Sequence, residues 1–389
     1  MAREDHANDE AFMREALALA EKGRGLVEPN PAVGAVIVKE GKIIGRGFHE
    51  RYGHEHAEVN AIRDAGGQCA GATLYVTLEP CSTYGKQPPC VKAILEAGIA
   101  RVVIGCVDQN PRNCGEGIRQ LREHGVEVEV GVCPKECIIA HAPFFKWIGT
   151  GLPFVIAKWA MSADGRTATG TGDSHWISSE ESRRRVHEMR GRVDGVVIGV
   201  GTALSDDPML TCRLAEPRRA ATRIVVDSLA RLRLDSNLVR TAKETPVLVV
   251  TTSAASRAKI EALANAGCRV MQCGGGDSVD LTLMIRQLGE EGFYNLLVEG
   301  GATLLGGMFD ARLIDRAMVF IAPLILGGAS APGGISGIGA PLVKEAIRLL
   351  EPRIETIGGD ILLMGEVEYP SQRPVLKSPH GGIKRKQEG

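Results

Sequence analysis

Three residues with strong affinity for zinc, His56, Cys81 and Cys90, lie far apart in this chain. They can serve one ion only if the segments between them fold back on one another. Each stands at a predicted junction. His56 opens a helix over 57–65, and Cys81 follows a strand over 72–78. Cys90 comes after Pro88-Pro89, where Pro89 suits the first position of a helix over 91–97 and Gly98 suits its end. Around this segment the periodicity predicts a helix over 11–21, strands over 33–38 and 43–48 about a Glu40-Gly41 turn, and a strand over 101–106. A helix over 117–124 and an extended run over 126–132 follow. The alternation predicts a layered α/β domain.

One His and two Cys leave a tetrahedral metal with one open position, the mark of a catalytic zinc site. A helix start favours the thiolate form of Cys90. Glu58, two residues from the first ligand, can take a proton from water and return it to a ring nitrogen and then to departing ammonia. Zinc-dependent deamination is therefore one reading, with Glu58 as general base and acid. A structural zinc site, or buried thiols beside a helical His, is the other. The eight residues between Cys81 and Cys90 depart from the two-residue spacing common in zinc deaminases.

A chain of 389 residues predicts two domains. The boundary falls at Gly149-Thr150-Gly151, giving units over 1–149 and 150–370, with a disordered basic tail over 371–389. Strands are predicted over 154–160, 195–199, 223–227, 246–251 and 296–299, helices over 179–190, 256–266, 281–289 and 303–312, and extended runs over 317–325 and 360–367. A formal net charge of -1 and 4% aromatic residues argue against a nucleic-acid partner. No apolar run reaches the length of a membrane span. The start lacks the order of a signal peptide, and ten spaced Cys suit a reducing cytoplasm. Cys133 and Cys137 read as ordinary thiols.

Signals in the second half are weak one by one. The run 298–304 carries a strand into a helix through Gly300-Gly301, where amides can hold a pyrophosphate. Gly199-Val200-Gly201-Thr202 has the same character. Either is also a plain turn. Arg183, Arg184, Arg185 and Arg190 share a predicted helix, for which a solvated basic face is the default.

Taken as blocks, these residues resemble a known family. Asn30-Pro31-Ala32-Val33-Gly34, Gly45-Arg46-Gly47-Phe48-His49, the His56-Ala57-Glu58 set, Glu79-Pro80-Cys81-Ser82, Pro88-Pro89-Cys90 and Asp108-Gln109-Asn110-Pro111 resemble the deaminase half of the bifunctional riboflavin-biosynthesis family. The wide Cys spacing is that family's habit. Lys158, Ser162, Asp164-Gly165-Arg166, Asp173-Ser174, Trp176-Ile177, Asp206-Asp207-Pro208, Leu210-Thr211 and Arg213 resemble its reductase half.

The resemblance covers roughly residues 10–368. It implies a cytidine-deaminase-like three-layer domain followed by a dihydrofolate-reductase-like one. It implies zinc-dependent hydrolytic deamination of 2,5-diamino-6-ribosylamino-4(3H)-pyrimidinone 5′-phosphate, then NADPH-dependent reduction of its ribosyl chain. Carried over by position, His56, Cys81 and Cys90 hold Zn2+ and Glu58 is catalytic. Asn30 and His49 meet the pyrimidine. In the reductase half, Ser174, Arg190, Leu210, Arg213 and Glu299 meet substrate. Ala160, Trp176, Thr202, Asp206, Ser228, Gly301, Ala302, Thr303 and Leu304 meet NADPH, and Lys158 and Asp206 serve protonation and orientation at the sugar. The Asp227-Ser228 stretch with Arg231 suits a 2′-phosphate. The family also implies a homo-oligomer. Lys86 stands where it commonly has Arg, Ala140-His141-Ala142 replaces Leu-Asn-Glu, Ala163 replaces Leu and Arg233 replaces Pro.

Two alternatives follow from the residues themselves. The second half serves as a binding or oligomer-forming module without catalysis, or the chain is a zinc-stabilised RNA-modifying protein.

Overall fold

The computed structural model describes residues 2–370. The expected tail over 371–389 lies outside the described residues. Two sheets organise the chain. The first half runs α1 (Ala2–Ala20), β1 (Gly34–Lys39), β2 (Lys42–Phe48), α2 (Ala57–Asp64), β3 (Thr73–Leu78), α3 (Cys90–Glu96), β4 (Arg101–Cys106), α4 (Glu116–Glu123), β5 (Glu127–Val130) and α5 (Pro134–Thr150). Its sheet has the order β2-β1-β3-β4-β5. The β2, β1 and β3 strands are antiparallel neighbours, whereas β3, β4 and β5 run parallel. Val36, Ile37, Leu74, Val76, Val102 and Ile104 are fully buried, so strands covered on both faces read as continuous apolar runs.

Two helices of this half exceed the sequence expectation. The α1 helix begins well before the expected residue 11, and Asp9 within it is buried, accepting from Tyr75 Oη at 2.5 Å and from Arg101 Nη2 at 2.8 Å. The α5 helix contains Pro143, a residue that argues against helix when met in sequence. It ends at Gly151, whose φ of 68° supplies the left-handed cap.

The second half runs β6 (Phe154–Ser162), α6 (Glu180–Arg190), β7 (Gly195–Gly199), α7 (Val200–Asp206), β8 (Thr222–Val226), α8 (Asn237–Arg240), β9 (Val247–Thr251), α9 (Arg257–Asn265), β10 (Arg269–Gln272), α10 (Leu281–Glu290), β11 (Asn295–Val298), α11 (Ala302–Asp310), β12 (Arg316–Ala322), β13 (Arg348–Ile357) and β14 (Asp360–Glu368). The sheet order is β10-β9-β8-β7-β11-β6-β12-β14-β13. Strands from β10 to β12 are parallel, and β14 and β13 close the sheet antiparallel. Alternate residues serve opposite faces. Val197, Ile224 and Leu248 enter one core, and Val196, Val225 and Val249 the other. The chain steps outward from β6 to β10, then returns to insert β11 between β7 and β6. That reversal opens a crevice beyond the carboxyl ends of the strands, where open α/β sheets bind ligands.

Candidate active sites

The first cavity has a volume of about 350 Å³ and is lined by residues including Asn30, His49, His56, Glu58 and Cys81. His56 caps α2 with extended backbone, Cys81 follows β3, and Cys90 is the first residue of α3. Their ligand atoms lie within 4.8 Å of one another. His56 Nδ1 is 3.2 Å from Cys90 Sγ and 3.5 Å from Cys81 Sγ. Tetrahedral zinc with bonds of about 2.0–2.3 Å spaces such ligand atoms by roughly 3.6 Å. Donor chemistry and spacing therefore fit the ion. The two thiols are coupled: the hydrogen bond between them draws Cys81 down, toward the thiolate that binds metal, and together with burial pushes Cys90 up, against the thiolate expected of a helix start.

Glu58 is 3% exposed. Burial lifts its carboxyl to about 6, against the pull of His56. His49 is equally enclosed, and burial lowers it to about 4, so its ring is neutral. With Nδ1 donating to Glu55 O at 3.0 Å, Nε2 is left to accept from Asn30 Nδ2 at 3.3 Å. The two expected pyrimidine contacts thus hold each other. Glu79, to which no role was assigned from sequence, accepts four backbone N–H groups, from Asp108, Gly115, Gly117 and Ile118. It fixes the turn that delivers Cys81, and Asn113 Oδ1 accepts from Ser82 N at 2.8 Å beside it. The Asp108–Pro111 block was the available signal. Trp147 and Ile148 of α5 also line this cavity, a contribution invisible without the helix.

The second cavity, about 870 Å³, lies at the crevice of the large sheet. It gathers Lys158, Ala160, Ser174, Trp176, Arg190, Thr202, Asp206, Leu210, Arg213, Glu299, Gly301 and Ala302 from the sequence expectation. Glu299 receives both Arg190 Nε at 2.6 Å and Nη2 at 2.8 Å, a bidentate pair. Burial lowers Lys158, and Arg190 adds to this while Glu299 opposes it. The two weak glycine signals prove to be neighbours: Gly199 N donates to Gly300 O at 3.1 Å, and Gly301 N to Thr202 Oγ1 at 3.0 Å. A Cβ at Gly301 would come 3.2 Å from that hydroxyl. The first-turn amides of α11, lacking intrahelical acceptors, suit a pyrophosphate, so the residues present fit a dinucleotide.

Three expected nucleotide residues do not line this cavity. The Leu304 side chain packs in the core, Thr303 is exposed, and Ser228 Oγ accepts from Val279 N at 3.3 Å. For Thr303 and Leu304 the helix turn leaves the main-chain amide as the group that can meet a phosphate. His187, absent from the expectation, lines the cavity and accepts from Arg213 N through Nδ1 at 2.9 Å. It sits on α6 one turn before Arg190, where the basic run drew the eye instead. Cys133 and Cys137 are free buried thiols, and the His56 set is the one metal-ligand group found among the described residues.

The profile of the cytidine and deoxycytidylate deaminase zinc-binding region matches residues 6–106, and that of the RibD C-terminal domain matches residues 153–363. The riboflavin biosynthesis protein RibD of Actinobacillus pleuropneumoniae is 42% identical over 90% of this chain and 93% of its own length. The chain belongs to the RibD family. The RibD of Aquifex aeolicus is 40% identical over 91% of this chain and 97% of its own. A Thermotoga maritima crystal structure, a diaminohydroxyphosphoribosylaminopyrimidine deaminase/5-amino-6-(5-phosphoribosylamino)uracil reductase, superposes with a TM-score of 0.77 at 34% identity, covering 94% of this chain and all of that one. As a RibD, the chain is a deaminase and reductase of riboflavin biosynthesis, zinc-binding in its first half and NADPH-dependent in its second. No described helix is long and apolar enough to cross a membrane.

Proposed function

We propose that the chain divides near residue 150 and that each cavity performs one of two consecutive reactions. The first releases ammonia from 2,5-diamino-6-ribosylamino-4(3H)-pyrimidinone 5′-phosphate. The second reduces the ribosyl chain of the product to ribityl. The observation that carries this reading is the meeting of His56, Cys81 and Cys90 in one ligand group at the wall of a cavity that buried Glu58 also lines.

In the first cavity zinc, held by those three ligands, supplies the Lewis acidity that makes water a nucleophile near neutral pH. Glu58 moves two protons in turn: it carries the first from the attacking water to the ring nitrogen, and the second from the hydroxyl so formed on the ring carbon to the amine, which leaves as ammonia. Asn30 and neutral His49, each oriented by the other, position the pyrimidine. Lys86, whose Nζ lies 4.0 Å from the Tyr52 ring centre, meets the phosphate as a point charge.

In the second cavity NADPH supplies the hydride. Ala160, Trp176, Thr202, Asp206 and the Gly301 turn hold the nucleotide, with the α11 amides at its phosphates. Ser174, Arg190, Leu210, Arg213 and Glu299 hold the substrate. Lys158, made more acidic by burial, donates the proton, and Asp206 orients the sugar. The test is a coupled assay on the diaminopyrimidine phosphate, with ammonia and NADPH absorbance followed separately. Absence of both signals from zinc-loaded protein sinks the proposal, and ammonia without NADPH oxidation leaves the second half a non-catalytic module.

We further infer a cytoplasmic homo-oligomer. All ten cysteines are unpaired. The edge strand β13 exposes Leu350 and Ile354, and the segment before it exposes Ile338 and Val343. Analytical ultracentrifugation distinguishes this from a monomer.

A further inference from the structure

One loop of the first cavity is held by the second half of the chain. Gly25 and Glu28 belong to the segment that leads into Asn30. Arg219, in the loop before β8, donates from Nε to Gly25 O at 3.0 Å and brings Nη2 to 3.5 Å from Glu28 Oε2. Glu28 Oε1 in turn accepts from Gly25 N at 2.8 Å, closing the loop on itself. The third arm of the guanidinium, Nη1, donates to Asp194 Oδ1. Asp194 Oδ2 accepts from Tyr294 N at 2.9 Å and Asn295 N at 2.8 Å, so the clasp is anchored at the start of β11. Gly25 has a φ of 91°, and a Cβ there would meet Arg192 Cα at 3.0 Å. The approach is that close.

The held loop reaches the cavity by two short routes. Leu26 O accepts from Tyr52 N at 3.1 Å, and the Tyr52 ring carries the Lys86 ammonium. Asn30 N donates to Val27 O at 2.9 Å, which sets the amide that faces His49. We propose that Arg219 is a positioning residue for the deaminase: from the reductase half, it sets where Asn30 and Tyr52 stand against the substrate.

Other contacts join the halves independently. Lys146 Nζ meets Asp315 Oδ2 at 2.5 Å, Arg316 Nη2 donates to Ile139 O at 3.0 Å, and the Trp147 and Tyr294 rings lie 5.7 Å apart. Arg218 Nη1 also holds this segment, donating to Arg24 O at 2.6 Å and Glu21 O at 3.0 Å, so removing Arg219 frees Gly25 and Glu28 in particular while the halves stay docked. The inference rests on the substrate proposed for the first cavity, so full-length wild type is assayed first for ammonia release. Inactive wild type overturns that reading and this one with it.

With active wild type, Arg219→Ala is expected to raise the deaminase KM about fivefold or more, a loss of positioning. Deaminase kcat stays within about twofold, zinc content is retained, and the reductase constants on the deaminated substrate are unchanged. Arg219→Lys, which keeps the charge but loses the fork, is expected to fall between. An unchanged deaminase KM in folded, zinc-loaded Arg219→Ala overturns the proposal, as does a parallel loss of both activities. Should the Ala variant not fold, the Lys variant decides by the same KM, and failure of both to fold assigns Arg219 to stability and overturns the proposal.

Discussion

The two cavities are built on opposite plans. The first is small, about 350 Å³, and its reactive groups are enclosed: Glu58 is 3% exposed and His49 2%. Each is fixed by a partner or by the close fit of its neighbours. The second is about 870 Å³ and keeps one fixed centre, the part-buried Arg190–Glu299 pair, inside an open rim where Trp176 is 68% exposed. Hydrolysis of one ring substituent needs one substrate and one water held rigidly. A hydride transfer needs room for two large ligands lying together. The difference in volume follows from the difference in chemistry.

The sharpest way to break this comparison is at Glu58. Glu58→Ala is expected to lower ammonia release on the order of 10²–10⁴-fold, the usual worth of a positioned proton carrier. Zinc stoichiometry and NADPH oxidation on the deaminated substrate should persist. Loss of metal in that variant, read by atomic absorption, would show a structural carboxylate instead. Removing zinc with a chelator should likewise stop the first reaction and spare the second, because no ligand set was found in the second cavity among the described residues. A chelator effect on the second reaction would mean that the halves are not chemically separate.

The second cavity is tested at its centre. Glu299→Leu leaves the part-buried Arg190 without its carboxylate, which costs on the order of 1–3 kcal/mol where cavity water can reach the guanidinium. Chemical denaturation should show that loss, and reductase turnover should fall with it while folded protein still releases ammonia. A variant of wild-type stability would mean that Arg190 finds water or another partner.

How far the sequence could be read differed between the halves for the same physical reason. Zinc ligation demands particular side chains, so His56, Cys81 and Cys90 announce themselves by type and by their places at helix starts and a strand end. Dinucleotide binding by a glycine turn uses main-chain amides, which any sequence supplies. Gly199–Gly201 and Gly300–Gly301 gained meaning only once β7 and β11 were adjacent, joined from Gly199 N to Gly300 O. The same limit hid Glu79, whose four acceptor bonds all run to backbone N–H groups distant in sequence. Asp9 and Pro143 show the opposite limit. A buried carboxylate and a helical proline are each unfavourable locally, and tertiary contacts with Tyr75 and Arg101 override the first.

The smallest expected effect concerns acid. His141 packs behind β3, 1% exposed, with Nε2 3.1 Å from Thr77 Oγ1. Burial lowers it to about 3, with Arg24 adding to the shift. Below its unfolded value near 6.5 the unfolded chain binds a proton that the folded chain refuses, so stability falls as pH falls toward 3. Between pH 6.5 and 5.5 this one group costs about 1 kcal/mol. His187 is lowered to about 4 by burial, with Arg190 and Arg213 beside it, and acts in the same direction from the second cavity. His141→Gln, which can keep a hydrogen bond to Thr77, should flatten the pH dependence of the urea midpoint by one proton and leave the His187 contribution in place. If the slope is unchanged, His141 is protonated in the folded state, and the first half is less tightly closed around β3 than its burial implies.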